Sequence, residues 1–177
     1  MKNLLALVAV AALCTVAQAD GLEVGSGVAA FYVQDVTGPS AGTKLCYRCR
    51  YGNKPVVSIF ARDVDANVAE LISQVDGVVG ENQSKSMAAF VVVLSEDPAT
   101  QEGTLKKVAR EKNIAHTPLT TFEGAAGPSA YKIAQDADVT VMMWVDGKLK
   151  VNEALKKSDL NAGKITSVVS KTSEILN

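Results

Sequence analysis

Histidine and tryptophan each occur once in this 177-residue chain, cysteine three times, and aromatic residues make up only 5% of it. A single histidine leaves little with which to build a metal centre, and three cysteines are too few for a disulfide-built scaffold. Neither charge dominates: 18 Lys and Arg stand against 19 Asp and Glu. Nothing in that balance would draw in nucleic acid or an anionic lipid surface. Past the N-terminus no apolar run approaches the ~20 residues that cross a bilayer. A hydrophobic core must therefore hold the chain together, and the length suits one domain.

What is present begins with a leader pattern. Lys2 precedes an apolar run from Leu4 to Val16, followed by Ala17-Gln18-Ala19. A positive start, a run of about 13 apolar residues and a small-x-small site read as a secretory signal peptide, too short for a membrane anchor. Leu13 before Cys14 argues against a lipoprotein, whose signals carry a small residue there. The expected organisation is a signal peptide over 1–19 and one domain over 20–177, exported to the periplasm or beyond the cell. After cleavage no membrane insertion is expected. Cys14 leaves with the signal, so Cys46 and Cys49 remain.

The hydrophobic pattern alternates strands with helices. Val56–Phe60 is a short apolar run, as a strand buried on both faces should be. Asp65 is placed to cap a helix in which Val68, Leu71, Ile72 and Val75 share one face. Ala88–Leu94 is a second buried strand, and Asp97-Pro98 opens a helix bearing Leu105 and Val108. Val139–Val145 is a third strand, whose Met142, Met143 and Trp144 are core residues. Asp146-Gly147 is a hairpin signal, so Lys148–Leu155 should return antiparallel. Asp159 is the expected cap of a last helix carrying Ile165, Val168, Val169 and Thr172. Two βα units followed by a hairpin and a covering helix predict an α/β protein with a mixed central sheet and helices on both faces.

That order is the order of the thioredoxin fold, and finer features narrow the resemblance. Val24-Gly25 leading to Phe31, then Asp35-Val36-Thr37-Gly38, resembles the opening of peroxiredoxins and of the exported thioredoxin-like reductases related to them. Ile114–Phe122, Ala130–Ile133 and Trp144–Lys148 resemble counterparts in the same families. The resemblance implies a three-layer thioredoxin-like domain and places the working cysteine at the turn after the first core strand. Here that turn reads Phe60-Ala61-Arg62-Asp63-Val64-Asp65 and holds no cysteine, so the usual peroxidase mechanism is not expected. The cis-proline of thioredoxins is replaced by Asp136-Ala137-Asp138-Val139, and a trans bond is expected because a non-proline cis bond costs ~3 kcal/mol.

The cysteines lie instead in Leu45-Cys46-Tyr47-Arg48-Cys49-Arg50-Tyr51, ahead of the first core strand. In the resembled families this stretch is an edge strand or loop near the active site. Fully extended, the two Cα atoms would stand ~10 Å apart, so a disulfide requires a turn at Tyr47-Arg48. Lys44, Arg48 and Arg50 flank the pair, and nearby cations lower a thiol pKa. Tyr47 and Tyr51 are candidates to shield it. Three readings stand. The first is a redox couple acting on a protein thiol or disulfide, with Cys46 as attacker by analogy and Cys49 resolving. The second is a structural disulfide in a non-catalytic protein-binding module. The third, a zinc site with His116 and a carboxylate such as Asp63, has no grouping of ligands behind it. Gly124–Pro128 lacks the Gly-Lys-Ser/Thr end of a phosphate loop and reads as a turn with Pro128 at a helix start. No cofactor is implied.

Overall fold

A computed structural model describes residues 21–177, so the signal-peptide expectation lies outside the described residues. Strands β1 (Val33–Asp35) and β2 (Lys44–Leu45) precede a five-residue helix, α1 (Tyr47–Tyr51). The core unit follows: β3 (Val56–Ala61), α2 (Ala66–Glu81), β4 (Ala88–Ser95), α3 (Glu102–Glu111) and β5 (Leu119–Glu123). The chain closes with β6 (Val139–Val145), β7 (Lys148–Leu155), α4 (Ala162–Ser170) and α5 (Ser173–Leu176).

The seven strands form one sheet in the order β2-β1-β5-β4-β3-β6-β7. β3 pairs in parallel with β4, and β4 with β5, while β6 runs antiparallel to β3 and β7 to β6. β3 and β4 are buried along almost their whole length, which explains their Val, Ile and Phe runs, interrupted in β3 only by Ser58. Asp146 and Gly147 both take positive φ, and this is what a tight two-residue hairpin between β6 and β7 requires. At the β7 edge, Gly25 donates to the Leu149 carbonyl and Val28 to that of Gly147, so the N-terminal segment covers the last strand.

The two faces of the sheet are covered unequally. α2, α3, α4 and α5 pack on one face through Leu71, Ile72, Leu105, Ile165, Val168 and Ile175. The other face carries α1, a single 3-10 turn at Ser129–Tyr131 and the segment around Phe31. Its filler is aromatic: Phe31 lies 4.8 Å from Tyr131 and 5.8 Å from Phe60, centroid to centroid. Large rings span the gap that helices fill on the first face.

Several local expectations hold and several move. Asp65 caps α2 by accepting from the Val68 N–H. The last helix is capped by Asn161, which accepts from Lys164 N, and Asp159 sits instead in a 3-10 turn ahead of it. Pro128 precedes its 3-10 turn rather than opening it. Lys157, in the same 3-10 turn as Asp159, pairs with Asp63 and Asp65. No cis peptide bond occurs among the described residues.

Candidate disulfide site

Cys46 and Cys49 are joined, with Cα atoms 5.2 Å apart. The bend that brings them together is α1 itself. Cys46 is its N-cap, and its Sγ accepts from the Cys49 N–H at 3.0 Å. The turn required at Tyr47-Arg48 is thus the first turn of a short helix. Gly52 ends α1 at a φ of 57°, and its N–H returns to the Arg48 carbonyl. At that backbone angle a side chain would be strained.

What fixes α1 on the sheet is its inward face. Tyr47 and Tyr51 stand one turn apart, their rings 5.3 Å from each other, and Tyr47 stacks on Phe90 at 5.4 Å. The Tyr47 hydroxyl donates to Asp35 Oδ2 at 2.8 Å. Asp35 also accepts from the N–H groups of Gly38 and Ser40, at 2.7 and 2.9 Å, so a carboxylate only 1% exposed has three donors. Gly38 is obligatory there, because a Cβ would collide with the Tyr47 hydroxyl and the Asp35 carboxylate. Burial, and then the Asp35 hydrogen bond, push the Tyr47 hydroxyl far above its ordinary pKa. Burial does the same to Tyr51, whose hydroxyl donates to the Ala89 carbonyl.

The two sulfurs are not equivalent. Cys46 is 7% exposed, whereas Cys49 is an exposed residue on the outward side of α1. The cysteine expected to attack, Cys46, is thus the more buried residue of the two. The flanking cations are also differently placed from the expectation. Arg48 points along the sheet, donating to the Val28 and Gly52 carbonyls at 3.1 and 3.2 Å. Arg50 donates to the Ser40 hydroxyl at 2.9 Å. Both side chains tie α1 to its surroundings. Lys44 is exposed on β2, opposite Gln34.

At the other end of β3, the turn where the resembled families keep a thiol is closed by Arg62. Its guanidinium donates to the carbonyls of Ala137 at 2.8 Å, Ala134 at 3.2 Å and Ala125. Asp63 beside it is paired with Lys157, a hydrogen bond that holds the carboxyl below the usual range. His116 lies on the loop before β5, within reach of Gln83, and among the described residues no three ligand-type side chains group as a metal site.

Sequence reasoning missed Asp35 as the anchor of Tyr47, and missed Arg62 altogether. The Asp-x-x-Gly spacing was the available signal for the first. Nothing local marks the second, since its three acceptors lie more than sixty residues away along the chain.

A mixed sheet in this strand order, with helices packed on it, defines a thioredoxin-like fold. No family model matches the sequence, and no curated protein matches it either. Solved structures do. A candidate protein disulfide isomerase from Bacteroides thetaiotaomicron is similar over 88% of this chain and 91% of its own, at 16% identity and a TM-score of 0.64. The yeast mitochondrial 1-Cys peroxiredoxin is similar over 86% of this chain and 76% of its own, at 12% identity and a TM-score of 0.61. A secreted Mycobacterium tuberculosis disulfide oxidoreductase homologous to E. coli DsbE is similar over 79% of this chain and 94% of its own, at 11% identity and a TM-score of 0.56. At these identities the likeness establishes the fold.

Proposed function

We propose that the chain exchanges electrons with protein thiols through Cys46–Cys49, outside the cytoplasm, with Cys49 as the sulfur that partners meet. The observation that carries this reading is the asymmetry of the pair, Cys49 an exposed residue and Cys46 a buried one on the same short helix. A partner thiolate attacks Cys49 Sγ, and a partner–Cys49 bond forms as the Cys46–Cys49 bond breaks. The electron pair leaves on Cys46 Sγ, where the Cys49 N–H already points and would steady the thiolate. A second partner thiolate then attacks the partner sulfur in the mixed disulfide and releases Cys49 as thiolate. The partner ends oxidised by two electrons, and this chain ends reduced by two. In the opposite direction Cys49 attacks a partner disulfide and Cys46 resolves the intermediate. Export rests on the leader pattern of residues 1–19 and accords with a similar fold in a secreted oxidoreductase.

Single-cysteine variants test the assignment. Cys46→Ser should leave a thiol that forms a mixed disulfide with oxidised glutathione within minutes, read by mass. Cys49→Ser should leave a buried thiol that reacts at least tenfold more slowly. Equal rates would sink the assignment of Cys49.

A second reading is a static bridge in a non-catalytic binding module. The commitment of Arg48 and Arg50 to Val28, Gly52 and Ser40 favours it, since neither cation is free to activate a thiol. It predicts that partner binding survives replacement of both cysteines and that the disulfide resists glutathione.

A further inference from the structure

On the opposite side of the same sheet edge is a cleft of about 540 Å³ that plays no part in the exchange chemistry. It opens where β1 and β5 part. The two strands pair only at Gln34 opposite Thr121 and Asp35 opposite Thr120. The next rung, Tyr32 opposite Glu123, is not formed. Along β5 the peptide groups alternate in direction. The Leu119 carbonyl accepts from β1's continuation at Val36, and the Gly124 N–H points the other way, to Ser95 on β4. By that alternation the N–H and C=O of Glu123 face the open fork, unpaired. Thr121 Oγ1 lines the same cleft, is buried and has no hydrogen-bond partner.

The charges in the cleft are sorted. Asp97 and Glu123 lie on the β5 side, and among the described residues neither is in an ion pair; Glu102 beside them is paired with Lys106. Lys44, on β2, lies two strands from β5, about 10 Å away at the usual strand spacing. Tyr32 is 67% exposed at the mouth and offers an aromatic surface with a hydroxyl. Unpaired strand edge, unpaired carboxylates and an exposed tyrosine together fit an extended polypeptide, not a compact small molecule.

We propose that this cleft binds an extended segment of the thiol-bearing partner, which adds a short run of main-chain hydrogen bonds at Glu123 and places a Lys or Arg side chain between Asp97 and Glu123. The cleft and the disulfide are contiguous along the chain, since Lys44 lines the one and Cys46 closes the other. Two extended residues span ~7 Å, so Cys49 lies within about 12 Å of Lys44 and about 22 Å of β5, a reach that about seven residues of a bound strand cover. The identity of the occupant as a redox partner rests on the exchange reading, whereas the preference for a basic extended peptide does not.

The test uses peptides with one cysteine and, six to eight residues away, either two arginines or two glutamates. With the oxidised domain, the basic peptide should form the mixed disulfide at Cys49 about tenfold faster than the acidic one. The Asp97→Asn/Glu123→Gln protein should lose that preference while its reduction by dithiothreitol stays unchanged. Asp97 makes no side-chain capping bond and Glu123 is exposed, so this variant is expected to fold. Equal rates for the two peptides, with dithiothreitol still reducing the bridge, would overturn the docking site and leave the exchange reading standing. A cysteine-free basic peptide should also bind the Cys46→Ser/Cys49→Ser protein more tightly than its acidic counterpart, by fluorescence anisotropy. If it does so while no peptide exchanges with the oxidised protein, the site stands and the exchange reading falls. If basic and acidic peptides bind that protein equally, the site is refuted.

Discussion

The two ends of β3 make opposite use of the same fold. At its C-terminal end, where the resembled families keep a thiol on the following turn, Arg62 reaches three backbone carbonyls and closes the space. At its N-terminal end, about 17 Å of strand away, α1 holds a disulfide between the buried Cys46 and the exposed residue Cys49. The first end is built from long-range contacts to the segment between β5 and β6. The second combines local hydrogen bonds among Asp35, Gly38, Ser40, Tyr47 and the cysteines with the packing of Tyr47 and Tyr51 on β4. One end of the strand is closed by a charged side chain that reaches across the fold, while the other carries its disulfide on a helical turn anchored by a tyrosine.

The sharpest way to break the comparison is at Arg62. Arg62→Ala leaves three carbonyls without their charged donor and should cost about 3 kcal/mol, lowering the melting temperature by roughly 10 °C. Reduction of the disulfide by dithiothreitol should be unaffected. A melting temperature within about 2 °C of wild type would show that Arg62 does not close that end.

Next in size is the bridge itself. Replacing both cysteines with serine should abolish exchange and remove about 2 kcal/mol of stability, as expected for so short a loop. A loss far beyond that, with exchange absent in the wild type, would turn α1 into a purely structural element.

Tyr47→Phe should cost about 1–2 kcal/mol, because Asp35 loses one of its three donors while the ring still stacks on Phe90. It also changes the alkaline limb. Tyr47 and Tyr51 have folded pKa values above the unfolded value of ~10, so their protonated state contributes stability that is present below pH ~10 and is lost as pH rises beyond it. Chemical denaturation between pH 9 and 11 should fall off less steeply in the phenylalanine variant. Identical slopes would mean that Tyr47 does not couple folding to alkaline pH.

The smallest effect serves as a control far from both ends. Glu153 on β7 is raised by burial but held lower on balance by Lys171 and Lys164 of the last helices. A carboxyl so depressed stabilises the fold above its unfolded pKa of ~4.3 and loses that contribution as pH falls through the folded value. Glu153→Gln should cost less than ~1 kcal/mol at neutral pH and flatten the acid limb, with exchange unchanged.

The core of this molecule is written plainly in its sequence. The apolar runs of β3, β4 and β6, the Asp146-Gly147 hairpin and the spacing of Val68, Leu71, Ile72 and Val75 all lead to the elements they suggest. The pieces that were not legible are short or bonded at a distance. β1 and β2 have three and two residues, too few for a period to register. β5 carries two threonines where a buried strand usually shows branched aliphatics. α1 is one turn long, and its cap is a cysteine, which is not among the usual capping residues. The cysteine pair itself was legible from spacing alone. Which of its sulfurs is exposed was not, because that depends on Tyr47 and Tyr51 turning the opposite side of α1 toward the sheet.

The account is tested most directly by the reduction potential of Cys46–Cys49, measured by equilibration of the folded domain against glutathione or dithiothreitol buffers. An exchanging couple should fall between about −120 and −270 mV, and a value below about −300 mV, where structural disulfides lie, would contradict it.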